Sequence, residues 1–308
     1  MRSTCWIGSR TDVRIVNLET AVTSADDYWR GKGINCRMHP RNVPCLTAAT
    51  IDCCTLANNH VLDWGYSGLA GTLETLSMAK VMRAGAGRNR EEAAAPAMLD
   101  VPGKGRVIVF SVGSVTSGIP ADWAADDDRA GVNLLSTLSE EVVGDIATSV
   151  GRVKRSGDLV VVSIHWGSNW SHPIPNDHRQ FAHRLIDEAG VDVVHGHSSH
   201  HPRGIEIYRT RPIVYGCGDF LNDYEGIGGY EEFRGDLSLM YFVSLDPATG
   251  NLARMVMTPL QVRRFRLNRA SNPDAEWLRD VLSREGRALG TTVELTANNT
   301  LILRARSV

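Results

Sequence analysis

Hydrophobic residues along this chain arrive in two rhythms. Short runs rich in β-branched residues, at 13–16, 51–56, 159–164 and 191–194, read as buried strands. Between them, apolar residues three and four apart predict amphipathic helices over 40–49, 68–80, 138–155 and 176–189. Leu69, Leu73 and Leu76 line one such face; Phe181, Ala182, Leu185 and Ile186 line another. Pro40 suits a first helical turn. Glu140 and Glu141 open the third helix and Arg152, Lys154 and Arg155 close it, as the helix dipole favours. Strand and helix alternating from 13 to 200 predict an α/β fold with mostly parallel pairing.

Elsewhere the rhythm changes. Residues 81–86 read as a short strand, 91–96 as a brief helix, and 97–101 with 106–112 as a hairpin around Pro102-Gly103-Lys104-Gly105. Further antiparallel pairs are predicted at 205–208 with 212–215 and at 237–245 with 252–260, which suggests a second sheet packed on the first. Residues 23–37 read as an exposed loop, and 114–134 as a long irregular one of the kind that tends to be functional or mobile. Beyond 262, Arg263, Arg264, Arg266 and Arg269 alternate with apolar residues like a strand with a solvated basic face. Asn272-Pro273-Asp274 then caps a helix carrying Trp277, Leu278, Val281 and Leu282, and 292–303 closes as a hairpin at Asn298-Asn299. The expected organisation is one domain over 1–262 with a strand-helix-hairpin appendage, 263–308, packed on it.

The chemistry lies where the four strands stop. The first runs into Asn17-Leu18-Glu19-Thr20, the second into Ala57-Asn58-Asn59-His60 and the third into His165-Trp166-Gly167. The fourth runs into His195-Gly196-His197-Ser198-Ser199-His200-His201. Each ends in residues able to ligate a metal, and parallel neighbours would bring the four ends to one sheet edge, where open α/β sheets bind ligands. Oxygen and nitrogen donors without thiolate suit one or two divalent ions (Mn, Zn, Fe or Ca) better than a structural cysteine-zinc site. Gly85-Ala86-Gly87-Arg88 lacks the spacing of a phosphate loop and reads as a tight turn. Asp126-Asp127-Asp128 reads as a solvated turn, His172 and His178 as surface histidines, and His183 as lying on a helix flank.

Composition narrows the classes. Of 308 residues, 43% are hydrophobic and 22% charged, ordinary for a soluble globular protein, and a net charge of −2 gives no electrostatic case for nucleic acid or an anionic membrane. No apolar signal region opens the chain and no run approaches the roughly 18 residues of a membrane span. The sequence as written therefore reads as cytoplasmic, with envelope association open if an N-terminal segment is missing. Six cysteines form no C-x-x-C pair. Cys53 and Cys54, adjacent in a strand, face opposite sides and argue for reduced thiols, while Cys36 and Cys45 stay open as a redox pair.

With these motifs in place, the chain resembles the capsule-synthesis (poly-γ-glutamate, CapA-type) family. The phrases that carry the likeness are Asn17-Leu18-Glu19-Thr20, Leu56-Ala57-Asn58-Asn59-His60, His165-Trp166-Gly167, Gly196-His197-x-x-His200 and Pro212-Ile213-Val214-Tyr215-Gly216-x-Gly218-Asp219-Phe220, over roughly residues 12–260. That family looks like a branch of the metallo-dependent phosphatases, which implies a four-layer α-β-β-α sandwich of two mixed sheets. It also implies that Glu19 bridges two metals, that Asn59 ligates the second, that His60 is an outer-sphere acid, and that His165, His197 and His200 complete the shells. Asn17, Asp219 (often Asn in the family), Trp166 and Trp170 are the candidate substrate contacts; either Trp could equally pack beneath its loop. Family members begin with a strand ending in Gly-Asp, which nothing before residue 12 supplies, so the resemblance implies an N-terminally shortened chain with one weakened metal position.

A divalent ion lowers the pKa of bound water to about 7, so the expected activity is hydrolysis of a phosphoester or of a γ-glutamyl or other amide bond by metal-activated water. The expected substrate is a small molecule, polyglutamate or peptide. Two alternatives stay open: metal-dependent epimerisation at a peptide Cα, and a non-catalytic scaffold for a capsule polymer synthase.

Overall fold

The structure is a computed structural model that describes residues 11–224 and 227–306. The strands of its three larger sheets and its four longest helices run in the order β1 (Ile15–Asn17), β2 (Cys53–Thr55), α1 (Gly65–Met78), β3 (Met82–Ala84), β4 (Ala97–Val101), β5 (Gly105–Ser114), β6 (Leu134–Leu135), α2 (Glu140–Val153), β7 (Leu159–His165), α3 (Asn176–Asp187) and β8 (Val193–His197). The second part holds β9 (Ile205–Tyr208), β10 (Arg211–Val214), β11 (Leu237–Leu245), β12 (Leu252–Val262), β13 (Leu267–Arg269), α4 (Asn272–Gly286), β14 (Thr291–Leu295) and β15 (Leu301–Ala305).

Alternation along the strands sorts residues into layers. On β5 and β7, Ile108, Phe110 and Val112 with Val160, Val162 and Ile164 face outward against Val143, Ile146, Phe181 and Leu185 of α2 and α3. Their neighbours Val109 and Val161, with Val193 of β8, face inward and meet Cys53 of β2 and Ala84 of β3. The opposite face of β2, carrying Cys54, packs with Leu69, Leu73 and Leu76 of α1. The order is therefore helix, sheet, sheet, helix, as the family resemblance implies. Cys53 and Cys54 lie on opposite faces, both fully buried, and the five cysteines among the described residues are all free.

The sheets differ from two mixed ones. The first is purely parallel, in the order β1-β2-β3. The second is mixed: β6-β5-β7-β8-β10 run parallel, with β9 antiparallel on β10 and β4 antiparallel on β5. A third, wholly antiparallel, has the order β11-β12-β15-β14 with β13 on β12. Apolar runs announce strands but not their partners, which are set by packing over long chain separations. Residues 263–308 supply β13–β15 and α4, so part of the third sheet comes from each side of residue 262; Leu278 and Leu282 of α4 pack on Leu239, Met257 and Leu301.

Smaller expectations need correction too. The arginine-rich stretch is a strand only at 267–269, because Arg264 and Phe265 turn with φ of 54° and 55°. The last helix is capped by Ser271, whose hydroxyl accepts from the Asp274 amide. Residues 40–49 split into a 3-10 turn at Pro40–Asn42 and a short helix at Pro44–Ala48. The 114–134 loop carries two 3-10 turns and buries Trp123 in the core between α1 and the first sheet. Gly85, at φ +96°, sits where an added Cβ would lie 2.3 Å from Ser111 Oγ and 2.8 Å from Ala57 Cβ, so the tight turn lets the two inner sheets touch. No described helix is long and apolar enough to cross a membrane.

Candidate functional site

The inward faces that begin apolar end polar. Register pairs Ile15 with Cys53 and Asn17 with Thr55 on one sheet, and Val161 with Val193, Ser163 with His195 and His165 with His197 on the other. Stepping two residues along each strand therefore turns a hydrophobic layer into a hydroxyl-and-imidazole layer at the same C-terminal edge. Ser163 ties the sheets together: its Oγ donates to Thr55 Oγ1 (3.1 Å) and meets His195 Nδ1 (3.1 Å) and His197 Nε2 (2.9 Å). Here the expected picture is corrected twice. The four strand ends belong to two facing sheets rather than one edge, and His195 and His197 sit within β8 rather than in a loop after it.

His165 is the hub. Its Nε2 lies 3.1 Å from Asn59 Oδ1 and 3.9 Å from Glu19 Oε1, and its Nδ1 is 2.8 Å from His197 Nδ1. Behind Glu19, Asn17 Nδ2 donates to Glu19 Oε2 (2.8 Å) and Asn58 Nδ2 donates to Asn17 Oδ1 (3.0 Å), so Asn17 orients the carboxylate. Thus Glu19, Asn59 and His197, from segments far apart in the chain, all approach His165, the first two on its Nε2 side and the last on its Nδ1 side. Immediately after them, Ser198 is buried with φ 112°, a strained conformation for a residue with a side chain, and its Oγ donates to Gly167 O (3.1 Å).

Burial keeps these floor imidazoles neutral. It pulls His165 down to about 3, helped by the nearby His60, His200 and Lys32 charges, pulls His195 down to about 4, and takes His197 well below its ordinary value. Glu19 moves the other way: although 28% of its side chain reaches solvent, the crowded cleft desolvates its carboxyl and raises its pKa, while His60 opposes the rise.

The rim behaves differently. His200 turns to Asp219 rather than to His165, with Nδ1 3.0 Å and 3.2 Å from the two carboxylate oxygens, which also accept from Tyr224 OH (2.7 Å) and Asn222 Nδ2 (3.1 Å). Burial lowers the His200 pKa, but the Asp219 hydrogen bond and charge outweigh it and the net direction is up. His60 Nδ1 lies 2.6 Å from Asp63 Oδ2, and Lys32 Nζ lies 3.0 Å from the same nitrogen while also bonding Asp63 Oδ1 and Asn59 O. Against the cost of burial, the Asp63 bond pushes His60 up to about 9. Cys36, His60 and Asp63 have donor atoms within 4.8 Å of one another, a spacing that could hold an ion. Asp63 is fully buried, though, and its oxygens are taken by Lys32, His60 and the Cys36 amide. We read this trio as an orienting group for His60.

Lys32, Cys36, Asp63, Thr55, Ser163, His195 and Tyr224 belong to the cleft without having been picked out as site residues; Lys32 and Cys36 correct the reading of 23–37 as an exposed loop. Asp63, three residues past His60, and His195, two before His197 on one strand, carry a spacing from which they could have been found. The two tryptophans divide. Trp166 is 1% exposed, stacked between His178 (4.5 Å) and Tyr215 (6.1 Å) with its indole N–H donating to Tyr215 O (2.9 Å), so it is core and offers no free face. His178 goes with it: at 2% exposed it is no surface histidine. Trp170 stacks on Tyr230 at 4.6 Å and tilts over His200 at 5.2 Å, beside the rim.

The family model described as bacterial capsule synthesis protein matches residues 5–224. The chain belongs to this family. A protein of Mycobacterium tuberculosis named a probable polyglutamine synthesis accessory protein is 50% identical over 292 residues, 94% of this chain and 77% of that one. The PGA biosynthesis protein CapA of Bacillus subtilis is 27% identical over 262 residues, 80% of this chain and 60% of its own length. A solved phosphatase structure from Mycoplasma pneumoniae aligns with a TM-score of 0.36 and 12% identity over 75% of this chain and 84% of its own. That likeness is too low to bear on the fold, which rests on the layers described above.

Proposed function

We propose that this capsule-synthesis family member is a divalent-metal-dependent hydrolase acting on a phosphoester or a γ-glutamyl or related amide bond. The observation that carries the reading is the meeting of Glu19, Asn59, His165 and His197. A carboxylate, an amide oxygen and imidazoles kept neutral by burial are a donor set suited to Mn, Zn or Fe, with Nε2 of His165 facing Asn59 and Glu19 and its Nδ1 facing His197. Glu19 and Asn59 would hold the ion with Nε2 of His165, while His197, on the Nδ1 side, would position that ring; His200, held by Asp219, is the further candidate ligand. Such an ion supplies a hydroxide at neutral pH and a Lewis acid for the attacked centre.

The chain's own groups do the rest. His60, held protonated at neutral pH by Asp63, which Lys32 holds in turn, would donate a proton to the leaving oxygen or nitrogen. Asn17 fixes Glu19. Asp219, occupied by His200, Asn222 and Tyr224, orders the rim rather than offering a free carboxylate, and Trp170 with Tyr230 gives a surface on which a substrate can rest. The test is hydrolysis by the purified chain of phosphodiester and poly-γ-glutamate substrates with Mn, Zn or Fe added after chelation. Loss on chelation with recovery on one metal supports the reading; turnover indifferent to chelator defeats it.

A second reading is favoured by the accessory role in the name of the M. tuberculosis relative: the chain assists a polymer synthase without turnover of its own. Metal bound at full occupancy with no hydrolysis of either substrate class would favour it.

A further inference from the structure

Outside the cleft, the C-terminal end of α4 and the start of β14 border an open cavity of about 410 Å³, lined by Asp280, Ser283, Arg284, Arg287, Thr292 and Arg306. Its walls stand on fixed backbone. A Cβ on Gly286 would lie 2.5 Å from Thr291 Oγ1, so the last turn of α4 presses on β14. Arg306, just past β15, donates its amide to Gly290 O (2.9 Å) and is held against the turn that joins α4 to β14. Ser283 Oγ accepts from Val293 N (3.0 Å) and from Thr292 Oγ1 (3.4 Å), which places two hydroxyls in the lining.

Charge in this cavity does not balance. Asp280 is its one carboxylate, and Arg279, from outside the lining, donates to it at 2.8 Å. Arg284 Nε donates to Glu285 Oε1 at 2.7 Å. Arg287 and Arg306 form no ion pair among the described residues. The helix dipole accounts for Arg284 and Arg287, which lie at the end of α4 where cations are favoured. It does not account for Arg306, which arrives from another segment and converges on the same space, in a chain whose net charge is −2. A solitary surface arginine is content with water. Guanidiniums from separate segments facing one concavity, with hydroxyls beside them, suit an oxyanion, because each planar fork offers paired N–H donors.

We propose that this cavity is a phosphate-group site, in which Arg287 and Arg306 neutralise a dianion with Arg284, Ser283 and Thr292 around it. Two unanswered guanidiniums match a double negative charge, and the open mouth leaves space for whatever molecule carries the group. This goes beyond the hydrolase reading and does not rest on it. The experiment is calorimetric titration of the metal-free chain with inorganic phosphate and with glucose 6-phosphate. It is run at about 0.15 M sodium chloride, where loose attraction between exposed charges is largely screened. Saturable binding of one phosphate group per chain is expected, and Arg287→Ala and Arg306→Ala are each expected to weaken it by about tenfold or more. Tighter binding of the sugar phosphate would mark a phosphomonoester as the ligand, equal binding the free ion. Both side chains are exposed, so the variants are expected to melt like the wild type. No saturable binding, or binding that both variants retain in full, overturns the proposal. A crystal soaked in tungstate locates the site without any substitution: an anomalous peak between Arg287 and Arg306 is expected, and its absence there contradicts the assignment.

Discussion

The cleft holds two groups of histidines that physics treats in opposite ways. On the floor, His165, His195 and His197 project from two parallel strands into the gap between sheets, with hydroxyls, an amide and each other for partners, and burial strips their charge. On the rim, His60 and His200 each face a carboxylate, Asp63 and Asp219, and the ion pair outweighs burial. The same side chain is thus held neutral on the floor and has its pKa raised on the rim. The lesson is that imidazole count alone says little about a site. What divides the labour is whether a carboxylate stands behind the ring.

The sharpest way to break this comparison is acid. A floor histidine with a depressed folded pKa keeps its ordinary value near 6.5 when unfolded, so the unfolded state takes up protons first and stability is lost as pH falls below 6.5 toward the folded values of about 3 to 4. At about 1.4 kcal/mol per pH unit per group, His165 and His195 together put roughly 4 kcal/mol at risk by pH 5. Calorimetry in chelator should show a steep drop in melting temperature between pH 6.5 and 5, and a flat profile there would show that the floor is not dry. The next effect is local to the rim. His60 keeps its stabilising bond in full below 6.5 and loses it as pH rises through about 9. Asp63→Asn removes the cause, so NMR titration of His60 should move down toward 6.5, and hydrolysis, once assayed, should fall by roughly 10² or more. An unmoved titration would make Asp63 a bystander.

A smaller effect concerns the hydroxyl between the sheets. Ser163→Ala leaves His195 and His197 without their shared partner in a buried place, at a cost of about 1–3 kcal/mol, readable by denaturant unfolding; a change within error would mean that water replaces the hydroxyl. Smallest is the shelf. Trp170→Ala removes a stack on Tyr230 worth about 0.5–1.5 kcal/mol beyond its area, and is expected to raise KM with little change in kcat, whereas an unaltered KM would show that nothing rests there.

The floor was largely legible in the sequence because period-two alternation and strand-end position are local properties: Glu19, Asn59, His165 and His197 announce themselves as polar residues terminating apolar runs. The rim was legible only in part. His60 and Asp219 stand in recognisable phrases, but Lys32 and Cys36 lie in a stretch that reads as plain solvent-facing loop, and nothing local says that it folds back over Asp63. His178 misled, and Trp166 stayed undecided between core and substrate contact, for the same reason. Each is polar-tipped and sits just past a strand or in a helix's first turns, and only the stack between them shows both to be core. Sheet membership failed similarly, since β1–β3 and β7–β8 carry the same kind of run while belonging to opposite sides of the cleft.

The measurement closest to the central claim is metal content by mass spectrometry for the wild type, His165→Ala, His197→Ala and, as a rim control, His60→Ala, each loaded with Mn, Zn or Fe and dialysed. The account predicts at least about one ion per wild-type chain, retained in His60→Ala and lost in both floor variants. Equal metal in all four proteins, or none in the wild type, would contradict it.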